Sequence, residues 1–147
     1  MSSKKYRLIF TIVVLVGIAN GVYLSIMKLS NNASMCIQGL GDCWTVNTSK
    51  YSQIYGIPVA ILGTLAFLTL LVLSFLDGRT PFWKSYGVYF IFGVTLIGTI
   101  YSAYLTYLEL EIIRAICPFC VLSAMSMLVL FIMSVYRLVS TQAEINP

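Results

Sequence analysis

The amino-acid sequence predicts an all-α integral membrane protein, a four-transmembrane-helix bundle with an outer loop and a short amphipathic cap helix. Three observations lead there. First, 59% of the 147 residues are hydrophobic and only 10% are charged, against about 25% charged residues in soluble domains, and the mean hydropathy is +0.91. Second, the apolar residues gather in four runs, 8–27, 57–76, 86–108 and 116–136; about 20 residues rising about 1.5 Å each match a hydrocarbon core of roughly 30 Å. Third, polar residues concentrate between the runs, chiefly in the outer loop 28–56. Residues 1–147 are therefore expected to form a single membrane domain, with any soluble partner supplied as a separate chain.

The first run follows Arg7 and ends at Lys28. It is longer than the about 7–15 apolar residues of a signal peptide and carries no small-residue cleavage site, so it is expected to remain as a membrane helix. The loop holds Cys36 and Cys43, with a turn expected at Gly39, Gly41 and Asp42. From Trp44 to Tyr55 polar and apolar residues alternate as in an amphipathic helix lying on the membrane surface. Pro58 is expected in the first turn of the second span, where its missing N–H costs nothing. Asp77-Gly78-Arg79-Thr80-Pro81 reads as a tight connection. Glu109 to Arg114 reads as a short charged link into the fourth span, and the polar tail after Arg137 is expected to fray.

Four spans place both termini on one side of the bilayer. Lys4, Lys5, Arg7, Arg79, Lys84 and Arg137 share that side, and Lys28, Lys50 and Arg114 the other. By the positive-inside rule both termini are cytoplasmic. The outer loop and the head of the fourth span then face the periplasm, cell exterior or ER lumen, where disulfides persist. The net charge of +4 is explained by orientation in the bilayer, and no nucleic-acid partner is expected.

The chain has no histidine, which removes Cys–His nucleophile pairs and imidazole ligation. Chemistry falls to thiols. Cys117-Pro118-Phe119-Cys120 is a C-x-x-C motif heading the fourth span, with its two sulfurs on one helical face and Cys117 near a helix N-terminus that lowers a thiolate's pKa. A redox pair and a structural disulfide both fit the motif, but a bridge within one helical turn restricts the unfolded chain little. Cys36 and Cys43, with six residues between them, fit either a staple for the loop or an outer pair that carries reducing equivalents to an embedded one. The spacings are wide for structural zinc, and no metal is expected. Asn20 is placed to donate to a ligand carbonyl or to bond between helices, and Tyr101, Tyr104 and Tyr107 form an interfacial belt or a pocket wall. Tyr55 is expected over a pocket mouth. The bland alternative for the whole chain is a non-catalytic four-helix membrane protein with structural disulfides.

Read in order, Cys36 and Cys43, then Ser49, Tyr51 and Gly56-Ile57-Pro58-Val59-Ala60 with Gly63, then C-x-x-C at the fourth span, resemble the vitamin K epoxide reductase family and in particular its single-domain prokaryotic-type homologues. The resemblance covers nearly the whole chain. It implies a quinone-dependent thiol-disulfide oxidoreductase that passes electrons from a separate thioredoxin-like soluble protein to a quinone of menaquinone, ubiquinone or vitamin K type. It implies that Cys120 adjoins the quinone with Cys117 its partner, that Cys43 attacks Cys117, that Cys36 meets the soluble protein, and that Ser49 positions a thiol or the loop. Vertebrate epoxide reductases carry an asparagine and a tyrosine at the positions of Ser52 and Ala124. The resemblance thus implies plain quinone reduction, with Ser52, Tyr55, Asn20 and Cys120 as quinone contacts and epoxide reduction as the alternative.

Overall fold

The computed structural model describes residues 3–31, 34, 36, 39, 41–77 and 79–145. Residues 37, 38 and 40 of the expected turn before Asp42, Gly78 in the second connection and residues 146–147 of the tail lie outside the described residues.

Four helices long and apolar enough to cross a membrane form the bundle: α1 (Ser3–Ser30), α3 (Val59–Leu76), α4 (Pro81–Tyr107) and α5 (Pro118–Ile145). The short α2 (Cys43–Thr48) lies between the first two. The chain is an integral membrane protein of all-α architecture. Its outward faces are apolar, with Leu65, Val72 and Ile100 well exposed, as a lipid solvent requires.

α1 packs on α3 and α5, α4 packs on α5, and α3 meets α4 less extensively. Small residues permit the close approaches. A Cβ on Gly17 would strike the Phe67 ring, and one on Gly21 the Thr64 hydroxyl, so α1 and α3 pack nearly backbone to backbone. One half of the bundle is a close-packed core of Phe10, Val14, Leu70 and Leu130, with Met127 at its border. Beneath it, Arg137 forms an ion pair with the buried Asp77 and stacks over Tyr6 at 5.5 Å. That contact ties the beginning of α1 to the ends of α3 and α5.

The helix ends follow local chemistry. α1 stops where Asn31 turns left-handed, a conformation asparagine tolerates. Thr80 caps α4, its hydroxyl accepting from Trp83 N–H, with Pro81 at the first helical position. Pro58 precedes α3 instead of sitting within its first turn: it closes a small hairpin in which β1 (Gln53–Ile54) pairs antiparallel with β2 (Ile57–Pro58). The short amphipathic helix expected from Trp44 to Tyr55 is shorter still. α2 ends at Thr48, a 3-10 turn occupies Lys50–Ser52, and Tyr55-Gly56, both at positive φ, form the hairpin turn. The tail is helical to Ile145 instead of frayed, because α5 continues past the core with Thr141 bonded back to Arg137.

The third span also departs from expectation. The segment expected as a polar link is helical: α4 widens into a π-helical turn, Leu108–Ile113, ended by Arg114 at φ +54. The widened turn buries Leu108 and Glu109.

Candidate functional site

At the end of the bundle opposite Asp77, the four sulfurs gather. Asp42 caps α2: Oδ1 accepts from Thr45 N–H at 3.0 Å and Oδ2 from the Thr45 hydroxyl at 2.6 Å, which holds this exposed carboxyl below the usual range. α2 therefore begins at Cys43 and turns its first side chain inward. Asp42 N–H also donates to Ile116 carbonyl at 3.1 Å, docking the loop on the segment that leads into the C-x-x-C. Gly41 makes that docking feasible. It adopts φ +134, and a Cβ there would collide with Ile116 carbonyl and come within 2.9 Å of Pro118 Cδ.

Cys43 is 2% exposed and Cys117 0%, whereas Cys36 and Cys120 are half-buried; all four are free thiols. Cys43 and Cys117 belong to one buried cluster against which Cys36 and Cys120 pack, Cys43 adjoining Cys36 and Cys117, and Cys117 adjoining Cys120. The sulfurs thus form an unbroken row, Cys36, Cys43, Cys117, Cys120. Hydrogen bonds from Cys120 and Cys43 hold Cys117 down at about 7 against its burial, assisted by its place at the head of α5. Burial, followed by the bond to Cys117, pushes Cys43 up. One negative charge accordingly centres on Cys117. Each neighbouring pair has the proximity that thiol–disulfide exchange requires.

Cys120, at the inner end of the row, lines a cavity of about 460 Å³ between α1, α3, α4 and α5. Such a volume lies within the roughly 300–1,000 Å³ of ligand pockets. Its walls are mostly apolar, including Val59, Gly63, Phe67 and Ile97, with Ser49, Ser52, Tyr101, Ser102 and Glu109 among the polar members. Size and character fit a quinone head group; Cys120, Tyr101 and Glu109 are among the polar residues that would face it.

The other sequence-derived candidates divide. Ser49 and Ser52 line the cavity, but their hydroxyls are engaged locally: Ser49 Oγ donates to Val46 carbonyl at 2.8 Å, and Ser52 Oγ lies 2.6 Å and 2.7 Å from the Asn47 and Ser49 carbonyls and accepts from Lys28 Nζ at 3.1 Å. Asn20 is not a wall residue. Both its amide protons are taken, by Phe119 carbonyl and Ser123 Oγ at 2.6 Å each, so it fastens α1 to the C-x-x-C turn. Tyr23 packs against Phe119 to the same effect. Tyr55 does not cover the cavity: at the hairpin tip its ring is fully exposed. The tyrosines of α4 separate by helical phase, with Tyr101 on the cavity and Tyr104 and Tyr107 facing outward. Ala124 also lines the cavity.

Glu109 is the site residue that sequence reasoning missed. It is 4% exposed, accepts from Cys117 N–H at 3.2 Å through Oε2, and borders the same cavity as Cys120. Read as part of a polar link, it looked like an interfacial charge. The available signal was phase: Glu109 lies four residues after Leu105 and eight after Tyr101, both cavity residues, whereas Glu111 falls on the exposed side.

The model of the vitamin K epoxide reductase family matches residues 8–135, which include all four cysteines and all four membrane helices. The chain belongs to that family. It is also 31% identical over 118 residues to thiol-disulfide oxidoreductase LTO1 of Arabidopsis thaliana, across 77% of this chain and 31% of that protein. The chain thus spans about a third of the length of this relative. Membership in the vitamin K epoxide reductase family accords with a bundle whose cavity is reached by a C-x-x-C pair.

Proposed function

We propose that this protein is a quinone-dependent thiol-disulfide oxidoreductase that draws electrons from a separate thioredoxin-like protein and thereby supports disulfide formation. The observation that carries the reading is the unbroken row of thiols from half-buried Cys36 to cavity-lining Cys120. The name of the Arabidopsis relative supports the thiol-disulfide part. By the positive-inside count, the termini are cytoplasmic and the cysteine end faces the periplasm, cell exterior or ER lumen.

In this reading the soluble partner's thiolate attacks the oxidised loop pair at Cys36. Cys43 leaves as a thiolate and then attacks Cys117 in the Cys117–Cys120 disulfide; Cys120 is released toward the cavity. The partner's second thiolate attacks the mixed disulfide, so that the partner departs oxidised and Cys36 is freed; Cys36 then closes again on Cys43 and frees Cys117. A bound quinone supplies an acceptor for two electrons and two protons. Cys117 suits its position, because a sulfur with a low pKa is a good leaving group in the last exchange. The apolar walls keep water from the Cys120 thiolate, and Gly41 with Asp42 holds the outer pair in register with Cys117. Ala124 offers a ligand no hydrogen bond, and the Ser52 hydroxyl is already bonded to backbone, which favours plain quinone reduction over epoxide reduction.

The test is turnover and partner redox state. Purified protein in lipid, given a dithiol and a short-chain quinone, is expected to form quinol. Cys117→Ala and Cys120→Ala should each bring this to background and leave the soluble partner reduced in cells. If both variants kept the partner oxidised, the relay would be wrong.

A further inference from the structure

Glu109 is a carboxylate buried at membrane depth, and among the described residues no lysine or arginine pairs with it. An ionisable group in such surroundings is costly unless it is bonded or functional. Its contacts are specific. Oε2 receives Cys117 N–H at 3.2 Å, and Glu109 and Cys120 border the same cavity. The Cys120 thiol thus has two proton acceptors for neighbours, Cys117 Sγ and the Glu109 carboxylate. The carboxylate is carried by a π-helical turn, a geometry that recurs at functional sites.

From this geometry we infer that Glu109 is a catalytic proton carrier: it takes the proton of Cys120 as the Cys117–Cys120 disulfide forms and delivers it to the ligand in the cavity. The inference rests on the thiol-to-quinone reading. The balance is two thiols plus quinone giving a disulfide plus quinol. The S–H bond of Cys120 breaks with its proton passing to Glu109, the proton of Cys117 leaves to outer water, and the S–S bond forms. The two electrons released by the sulfurs pass to the quinone. One quinol proton comes from Glu109 and the other from water. When the pair is oxidised and no acceptor is bound, the proton stays on Glu109, because the Cys120 S–H beside the carboxylate is gone.

Glu109→Gln separates proton transfer from positioning, since the amide oxygen still accepts from Cys117 N–H but the group carries no exchangeable acid proton. In the full chain in lipid, with dithiothreitol and a short-chain menaquinone, the variant is expected to lose about 10²-fold or more in kcat. Its KM for the dithiol and its Cys43–Cys117 exchange rate should be unchanged. A second readout needs neither turnover nor a variant. Wild-type protein containing ¹³C-labelled glutamate and no quinone, oxidised with diamide and then reduced, should show a labelled carboxyl C=O infrared band in the oxidised state that disappears on reduction. The Glu111→Gln/Glu144→Gln double variant should keep that band, and Glu109→Gln should lack it. Wild-type kcat in Glu109→Gln, or no redox-linked carboxyl band in wild type, overturns the inference. If the band follows the cysteine redox state but wild-type protein reduces no quinone, Glu109 as proton acceptor stands and the quinone reading falls.

Discussion

The two ends of this bundle are built on opposite principles. At the end bearing the termini, Phe10, Leu70 and Leu130 fill the space between helices and the Asp77–Arg137 ion pair closes it. At the cysteine end the same helices surround a cavity of about 460 Å³, α4 is widened by a π turn, and Gly41, Tyr55 and Arg114 all take positive φ. One end is set by packing, which is insensitive to the identity of any one side chain so long as volume is kept. The other depends on a few polar groups whose spacing is not replaceable. Stability and chemistry are therefore segregated along the bundle axis, and substitutions at the two ends should have different signatures.

Arg137→Leu tests the closed end hardest. It leaves the Asp77 carboxylate buried without a partner and removes the stacking on Tyr6, so a loss of about 3 kcal/mol in unfolding stability is expected. Turnover per folded molecule should not change, and a parallel fall in kcat would break the proposed segregation. Gly41→Val tests the open end. Forcing a branched side chain into φ +134 against Ile116 carbonyl should undock the loop; with about 1–2 kcal/mol for the backbone and about 1–3 for the clash, Cys43–Cys117 exchange should slow by roughly thirtyfold to several thousandfold. Diamide-driven formation of the Cys43–Cys117 disulfide in a Cys36→Ala/Cys120→Ala background reports the same loss of approach between the two sulfurs, and the unfolding midpoint should scarcely move.

The thiolate on Cys117 gives the smallest and sharpest comparison. With Cys117 at about 7, half of its population is ionised at that pH, against a few per cent for a cysteine near about 8.5. The reduced chain should show an ultraviolet thiolate step centred near pH 7 that is lost in Cys117→Ala. In Cys120→Ala its midpoint should rise, since the hydrogen bond from Cys120 is the main influence that lowers it. A midpoint that stayed put would mean that the head of α5, and not the neighbouring sulfur, sets the charge.

Much of this was legible in the chain as a string of residues. Run length and composition set four spans, because a bilayer demands about 20 apolar residues per crossing whatever the helix packs against. The two cysteine pairs marked the end at which the sulfurs gather for the same reason: covalent spacing and side-chain type are local properties. Helix phase and packing partners are not local, and there the reading ran out. Asn20 looked like a ligand contact until Phe119 and Ser123 took both its protons, and Tyr55 looked like a lid until the hairpin turned it outward. Glu109 looked like surface charge until the π turn carried it inside beside Cys117 and Cys120. The cavity-facing phase of Glu109 was legible; which sulfur touches which, and that this carboxylate meets the Cys117 backbone, was decided by the docking of the loop on α5 and by the widening of α4, contacts that no local pattern encodes.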